Sequence, residues 1–536
     1  MSASPGPSVL PVAPPTVPSR TWRHIVPLGA AALGCGALQG LSIAWPWGGE
    51  PLAWLQVLSL AALVALLART RRTAQALVVG WLFATAWLCT VFWWLFISMN
   101  TYGHLPAWLS ALSVGLLAAF LGSNYALAAA AWKRWPALGG ALGFAAWWTL
   151  AELARGWLWT GFPWGAGGYA HVDGWLAAWA PWVGVYGIGA LAAFGAAALA
   201  QVLAPASVGQ PGTVRARWWP VVLAVALTGA GLALPARHSS DGASFEVTLL
   251  QGNIPQDQKF RADGGIDVAL RWYAEQLLAV ERGLVVAPET AIPLLPAQWP
   301  EALRERLARH FADDGRAALI GVPLGDLSGY ANSVIGLRGG APAYRYDKHH
   351  LVPFGEFVPP MFRWFTDAMR IPLGEFRAGS ASQASMRWQG QRLAPNVCYE
   401  DLFGEELARR FTDPADAPTV LVNVSNIAWF GDTVAIAQHL NIARMRTLEF
   451  QRPMVRATNT GATVVIDHQG RVTHSVPAHV RVAASGTVQG REGITPYAAW
   501  ASKWGLLPLW GLCGAMLLAL GVAAQAHASR TTKPAP

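Results

Sequence analysis

Apolar residues are arranged along this chain in two patterns. Seven long apolar stretches precede residue 240, at approximately 25–45, 51–68, 75–98, 105–131, 137–154, 183–204 and 218–236, and an eighth spans about 499–523. Each approaches the roughly 20 residues that an α-helix needs to cross a bilayer. Between the seventh and the eighth, short continuous apolar runs are separated by amphipathic segments. That is the pattern of strands buried on both faces of a sheet and alternating with helices. It predicts a polytopic α-helical membrane domain of eight transmembrane helices, with an α/β domain inserted between helices seven and eight.

Within the α/β region the expected strands are Phe245–Leu250, Leu284–Ala287, Ala317–Val322, Tyr330–Leu337 with Ala343–Tyr346, Arg392–Val397, Thr419–Val424, Met454–Thr458 and Thr463–Ile466. Helical periodicity marks Ile266–Arg282, Pro300–Asp313, Leu402–Arg410 and Ala435–Gln451. No internal repeat of fixed period is visible.

Composition agrees with a membrane protein that carries a sizeable polar domain: of 536 residues, 53% are hydrophobic, 13% are charged and 29 are tryptophan. The expected organisation is a disordered cytoplasmic N-terminus (1–22), helices one to seven (23–238), the α/β domain (244–490), helix eight (497–525) and a cytoplasmic C-terminal tail (526–536). Length and the lack of a clear cleavage site mark the first stretch as a retained anchor. Basic residues cluster in alternate loops: Arg20 and Arg23; Arg69, Arg71 and Arg72; Lys133 and Arg134; Arg215 and Arg217; Arg530 and Lys533. The intervening loops near 46–50, 99–104 and 156–182 contain no Lys or Arg. By the positive-inside rule both termini are cytoplasmic and the α/β domain is outside, periplasmic in a bacterium. Residues 244–492 hold 25 basic and 26 acidic side chains, so the formal charge of +9 comes from the inner loops. Nothing in that balance calls for a nucleic-acid partner.

Four cysteines form neither a disulfide framework nor a metal site. Cys35, Cys89 and Cys513 lie inside apolar stretches, whereas Cys398 ends an apolar strand run in Asn396-Val397-Cys398-Tyr399-Glu400-Asp401. Two other segments share its setting. Glu289 follows a buried strand in Ala287-Pro288-Glu289, and Lys348 follows another in Tyr346-Asp347-Lys348. In open α/β sheets functional groups gather at the carboxyl ends of strands. A free thiol is only a few per cent ionised at neutral pH. A carboxylate beside it can take its proton, and an ammonium can stabilise thiolate and oxyanion. Taken singly, Cys398 also reads as a small buried hydrophobe, Glu289 as a helix-start carboxylate, Lys348 as part of a solvated loop, and Glu356 and Glu400 as surface acids.

Together the Pro288-Glu289, Tyr346-Asp347-Lys348 and Asn396–Glu400 segments resemble the Glu-Lys-Cys triad of the nitrilase (carbon–nitrogen hydrolase) superfamily, in sequence order. Further segments resemble the superfamily's membrane-embedded branch, the apolipoprotein N-acyltransferases. They are His349–Pro359, Ala428-Trp429-Phe430-Gly431-Asp432, Gln438-His439 with Ala443–Arg446, Arg456–Gly461, Glu152–Arg155 and Gly161-Phe162-Pro163-Trp164-Gly165. Two departures from the branch pattern are Phe260 where it often has Trp, and Ile427 where it usually has Asp.

The resemblance implies an α-β-β-α sandwich and a ping-pong acyl transfer in the bacterial inner membrane, the last step of lipoprotein maturation. Cys398 would take the sn-1 acyl chain of a phospholipid, typically phosphatidylethanolamine, as a thioester. The α-amine of a diacylglyceryl-cysteine apolipoprotein would then receive it. Glu289 would act as base and then acid. Lys348 would be the oxyanion donor, with the backbone N–H of Tyr399. Glu356 and Glu400 would orient Lys348 or tune its charge. No cofactor or metal is implied, and a monomer is expected. Segments 353–376 and 425–431, with Phe354, Phe357, Trp429 and Phe430, and the Phe260 ring, are lid or lipid contacts, or else packing loops. Glu152 and Arg155 form a structural pair or meet a lipid headgroup, and the tryptophans of 157–182 suit an interfacial belt. The competing readings are a membrane-anchored amidase that hydrolyses its acyl-enzyme with water, and a transporter or scaffold with a chemically inert outer domain.

Overall fold

A computed structural model describes residues 25–203, 213–261, 264–326, 329–359, 363 and 375–531. The expected N-terminal tail with Arg20 and Arg23, most of segment 360–374 and the end of the C-terminal tail lie outside the described residues.

The N-terminal half contains helices α1 (Ile25–Leu41), α2 (Ala53–Arg69), α3 (Thr73–Phe92), α4 (Ala107–Arg134), α5 (Gly140–Trp157), α6 (Ala180–Leu203) and α7 (Thr213–Ala233). By length and composition four described segments can cross a membrane: Thr73–Phe92, Ala107–Arg134, Ala177–Leu203 and Leu507–His527. Small residues let the backbones meet. A Cβ at Gly36 would lie 2.1 Å from the Phe83 carbonyl oxygen, and one at Gly80 would lie 2.6 Å from the Ala129 Cβ. The expected stretch 499–523 is divided: helix Pro496–Trp504 stops at Gly505, whose φ of 55° ends it, and a new helix runs Leu507–Thr531.

The region between these helices is a sandwich of two six-stranded sheets. The first contains β1 (Ser239–Gln251), β2 (Gly283–Ala287), β3 (Arg316–Asp326), β4 (Gly329–Arg338) and β5 (Tyr344–Asp347). The second contains β6 (Met386–Trp388), β7 (Gln391–Val397), β8 (Val420–Ser425), β9 (Met454–Thr458), β10 (Val464–Ile466) and β11 (Val472–Ser475). The last strand, β12 (Val482–Gly493), returns to the first sheet, giving the orders β12-β1-β2-β3-β4-β5 and β11-β10-β9-β8-β7-β6. Strands β1–β3 are mutually parallel, as are β7–β9, and the outer pairings are antiparallel.

Val247, Leu249, Leu284, Val286, Leu319, Val397, Val422, Val424 and Val455 fill the space between the sheets. Helices α8 (Gly265–Ala279) and α9 (Glu301–His310) cover the outer face of the first sheet. Helix α10 (Ala435–Phe450) and helix Pro496–Trp504 cover that of the second. The layers are therefore α-β-β-α. Strands β6, β11 and β12 had no clear pattern in sequence. In β12 exposed and half-buried positions alternate over Val-Ala-Ala-Ser-Gly-Thr, so few strongly apolar residues mark it.

The second sheet rests on the helical half. Gln438 of α10 accepts hydrogen bonds from the indoles of Trp94 (3.0 Å) and Trp164 (2.8 Å), and its amide donates to the Val91 carbonyl (2.9 Å). The Val185 N–H donates to Glu449 at 2.7 Å, and the Tyr399 hydroxyl donates to the Gly161 carbonyl at 3.0 Å.

Candidate active site

Glu289 stands just beyond β2, where the chain turns through Thr290 at a φ of 47°. The side chain is nearly buried and fully engaged. Its Oε1 accepts from Asn332 Nδ2 at 2.7 Å and lies 3.6 Å from Lys348 Nζ. Its Oε2 accepts from the Asn426 N–H, beyond the end of β8, at 2.8 Å. One carboxylate thus spans both sheets.

Lys348 follows β5, and its N–H bonds the Asn332 carbonyl at 2.8 Å. That register carries its side chain inward, to 1% exposure. Nζ lies 2.9 Å from each oxygen of Glu356. Asn332 Nδ2 donates to Glu356 Oε1 as well, at 2.8 Å, so this amide bridges the two carboxylates that flank the ammonium. Burial opposes the charge on Lys348, but Glu356 and then Glu289 outweigh it and hold the ammonium above its usual pKa. It stays a fixed positive charge.

Cys398 follows β7 directly and adopts a φ of 53°, a left-handed conformation that costs a non-glycine residue about 1–2 kcal/mol. Burial, and next the Glu289 carboxylate, push its thiol up to about 12, against the opposing pull of Lys348 and the Asn426 N–H. The resting sulfur is therefore protonated and needs a base. The first residues of the short 3-10 helix Cys398–Leu402, including Tyr399, have no preceding helical carbonyl for their N–H groups.

Glu400 is placed differently from Glu356. Its carboxylate accepts from the N–H groups of Val397 (2.6 Å), His349 (2.6 Å) and His350 (3.2 Å), and from the Tyr346 hydroxyl (2.9 Å). It ties the end of β7 to the two residues after Lys348. It holds the lysine's loop, while Glu356 holds its charge.

The remaining expected residues fall into distinct places. Glu152 and Arg155 are buried, but they take separate partners instead of pairing directly. Glu152 accepts from the Gly167 N–H at 3.0 Å, while Arg155 donates to the carbonyls of Phe162 (2.6 Å) and Trp164 (2.9 Å) and to the Tyr125 hydroxyl (2.8 Å). Two side chains of one helix thus shape segment 161–167, which carries the Gly161 carbonyl that meets Tyr399. Trp157 and Trp159 of the expected interfacial belt are exposed, but Trp164 is buried beneath α10. Phe430 packs on Trp94 with ring centroids 4.2 Å apart, so it joins the two halves. Trp429, partly exposed, meets Tyr102 edge-on at 5.7 Å. Phe354 and Phe260 are exposed, and Phe357 is half-buried.

Several residues of the site escaped the sequence reading. Asn332, with its neighbour Ser333, is polar within the buried stretch of β4, a pattern that could have revealed it. Lys259 is buried, donates to the Glu289 carbonyl at 3.0 Å, and is brought down to about 8 by burial, with Glu289 pulling the other way. Asn423 and His439 reach the Cys398 carbonyl, and Asp401 and Arg456 brace His439; of these Asp401, His439 and Arg456 lie in segments named above, but without this role.

Residues 36–198 match the family model described as apolipoprotein N-acyltransferase N-terminal domain, and residues 246–483 match that described as carbon-nitrogen hydrolase. The apolipoprotein N-acyltransferase of Verminephrobacter eiseniae is 54% identical over 505 residues, covering 89% of this chain and 92% of its own. That of Ralstonia nicotianae is 43% identical over 497 residues, covering 90% and 91%. That of Bordetella bronchiseptica is 41% identical over 558 residues, covering 96% and 98%.

Proposed function

The chain belongs to the apolipoprotein N-acyltransferase family, and on that premise we propose that Cys398, Glu289 and Lys348 transfer an acyl chain through a thioester. The protein is an acyltransferase that N-acylates apolipoproteins, and its relatives do not favour the amidase reading. The observation that carries the proposed mechanism is the hydrogen-bonded network of Glu289, Asn332, Glu356 and Lys348, in which Glu289 and Lys348 act electrostatically on the Cys398 thiol.

In the first half-reaction Glu289 takes the thiol proton as Sγ attacks the sn-1 ester carbonyl of a phospholipid. The developing oxyanion receives the Lys348 ammonium and the Tyr399 N–H. Each such donor is worth about 3–4 kcal/mol of barrier. The tetrahedral adduct collapses to the thioester, and protonated Glu289 returns the proton to the departing lysophospholipid oxygen. In the second half the α-amine of a diacylglyceryl-cysteine attacks the thioester. Glu289 takes the amine proton and hands it to the leaving thiolate. Water must be excluded while the thioester stands, or hydrolysis replaces transfer.

The finer setting is part of the same proposal. Eight spans with both termini cytoplasmic place the sandwich on the periplasmic face of the bacterial inner membrane, since the loops expected inside hold the Lys and Arg excess. There a monomer reaches a phosphatidylethanolamine-type donor and a lipid-anchored acceptor without removing either from the bilayer. Phe354, Phe357 and Trp429 are the lipid contacts of this proposal, and Glu152 and Arg155 act through their hold on segment 161–167.

Purified protein mixed with phospholipid and a diacylated lipopeptide tests this by mass. The expected result is one added acyl chain on the peptide amine, with no product from Cys398→Ser. Release of free fatty acid alone, or normal turnover by Cys398→Ser, overturns the mechanism.

A further inference from the structure

The backbone of Cys398 is held by a buried cluster that takes no part in the proton transfers above. Its carbonyl oxygen receives Asn423 Nδ2 at 3.2 Å and lies 3.2 Å from His439 Nε2. That same nitrogen lies 2.8 Å from Asp401 Oδ1. Arg456 closes the cluster, with Nη1 3.0 Å from Asp401 Oδ2 and Nη2 2.7 Å from His439 Nδ1. Asp401, His439 and Arg456 are each at most 1% exposed.

The partners fix where the imidazole proton sits. A guanidinium has only donors, so Nδ1 must accept from Arg456. The proton is therefore on Nε2, shared between Asp401 and the Cys398 carbonyl. An imidazole fixed in this way has no free lone pair to take a substrate proton, so His439 is no spare base. What it does is grip a carbonyl whose residue is in a strained left-handed conformation. Strain of this kind persists only where the surroundings over-determine it. The grip is also tied to the helical half. Trp164 lies 5.3 Å from the His439 ring, and neighbouring Gln438 accepts from Trp94 and Trp164.

We infer that His439, braced by Asp401 and Arg456, is a positioning residue that pins the Cys398 carbonyl, so that the thiol and the N–H groups following it face one point. The inference rests on Cys398 being the nucleophile. Rotation of this peptide would carry the sulfur away from Glu289 and the Tyr399 N–H away from the oxyanion together.

The test uses full-length protein in detergent, with lysophospholipid release in a single turnover as the readout of thioester formation. His439→Leu should slow the burst about 100-fold, the scale of a 1 Å misplacement, with KM for phospholipid within about twofold. The pH midpoint of the burst should be unchanged, because His439 transfers no proton. His439→Gln, whose amide supplies one acceptor and one donor, should recover the rate to within about fivefold. A wild-type burst in folded His439→Leu, a shifted pH midpoint, or no rescue by Gln overturns the inference. Should His439→Leu fail to fold, Asn423→Ala removes the other donor to the same carbonyl, and a wild-type burst there is equally fatal. Failure of the underlying reading looks different: Cys398→Ser would itself keep the burst.

Discussion

In the first sheet the parallel strands β1, β2 and β3 are flanked by β12 on one side and β4 and β5 on the other; in the second, β7, β8 and β9 are flanked by β6 and by β10 and β11. The two sheets therefore share one pattern, with β1 corresponding to β7 and β2 to β8. Their contributions to the site are unlike. The first sheet supplies ionised side chains, Glu289 and Lys348, with Glu356 and Asn332 around them. The second supplies a strained thiol and main-chain N–H groups, and its buried polar side chains hold the backbone. Asn426, beyond β8, is the counterpart of the Pro288-Glu289 segment beyond β2, and its N–H meets the Glu289 carboxylate. A duplicated architecture thus carries a division of labour: charge from one side, geometry from the other.

The strongest way to break this comparison is Lys348→Met. It leaves Glu289 and Glu356 facing each other across Asn332 with the ammonium between them gone and only Lys259, held on the Glu289 carbonyl, as a nearby cation. Single-turnover thioester formation should fall by at least about 10³-fold, beyond the usual loss for one donor because a buried charge balance goes with it. A loss under tenfold would mean that the first sheet's charge is not what drives the chemistry. A pH experiment probes the other side. Because the Cys398 thiol is pushed up to about 12 by burial and Glu289, its thiolate fraction rises with pH throughout the accessible range. Alkylation of Cys398 by iodoacetamide should therefore climb about tenfold per unit from pH 7 to pH 10, without a plateau. A plateau below pH 8 would show a sulfur ionised in its own right, with no need of the first sheet. Glu400→Gln should act more gently. It weakens charge-assisted bonds from Val397, His349 and His350 but leaves the Lys348–Glu356 pair intact. The expected cost is about 2–3 kcal/mol in denaturant unfolding of the outer domain, with about a tenfold slower burst. An effect as large as that of Lys348→Met would make Glu400 a partner of the ammonium instead of its loop.

This division also explains what sequence could reveal. Glu289, Lys348 and Cys398 were legible because ionisable groups just after apolar strand runs are conspicuous, and strand ends are where such groups converge. The α-β-β-α layering followed from the resemblance and from runs such as Leu284–Ala287 and Val420–Val424. The clamp was not legible. Asp401, Asn423, His439 and Arg456 lie on four separate segments, and only the fold shows that Asn423 and His439 meet at one carbonyl while Asp401 and Arg456 brace the imidazole. Asn332 stood out only as a polar residue in a buried strand, and that it bridges two carboxylates distant in sequence needed the fold. Periodicity also lost the weakly apolar β12 and the break at Gly505. The expected Glu152–Arg155 pair resolved into two separate holds on segment 161–167, because main-chain partners from a later segment compete for both charges.

The smallest effect should come from Phe260→Trp. Phe260 lies in the loop after β1, the strand that corresponds to β7, so this loop is the first sheet's counterpart of the one that opens with Cys398. Both loops begin with a left-handed residue near the strand end, Asn253 at 45° and Cys398 at 53°. In the second sheet that turn presents the sulfur. In the first, Asn253 bonds the Asn459 carbonyl, and what the loop sends onward is buried Lys259 and an exposed ring. Phe260 is 54% exposed, and its centroid lies 5.9 Å from Lys259 Nζ. A larger indole there adds roughly 20–40 Å² of apolar surface for an acyl chain to cover, about 0.5–1 kcal/mol. That corresponds to at most a fivefold fall in KM for phospholipid, with kcat unchanged. A change in kcat of tenfold or more would give this ring a place in the chemical step, and the loop after β1 would then share the role that belongs to its counterpart after β7.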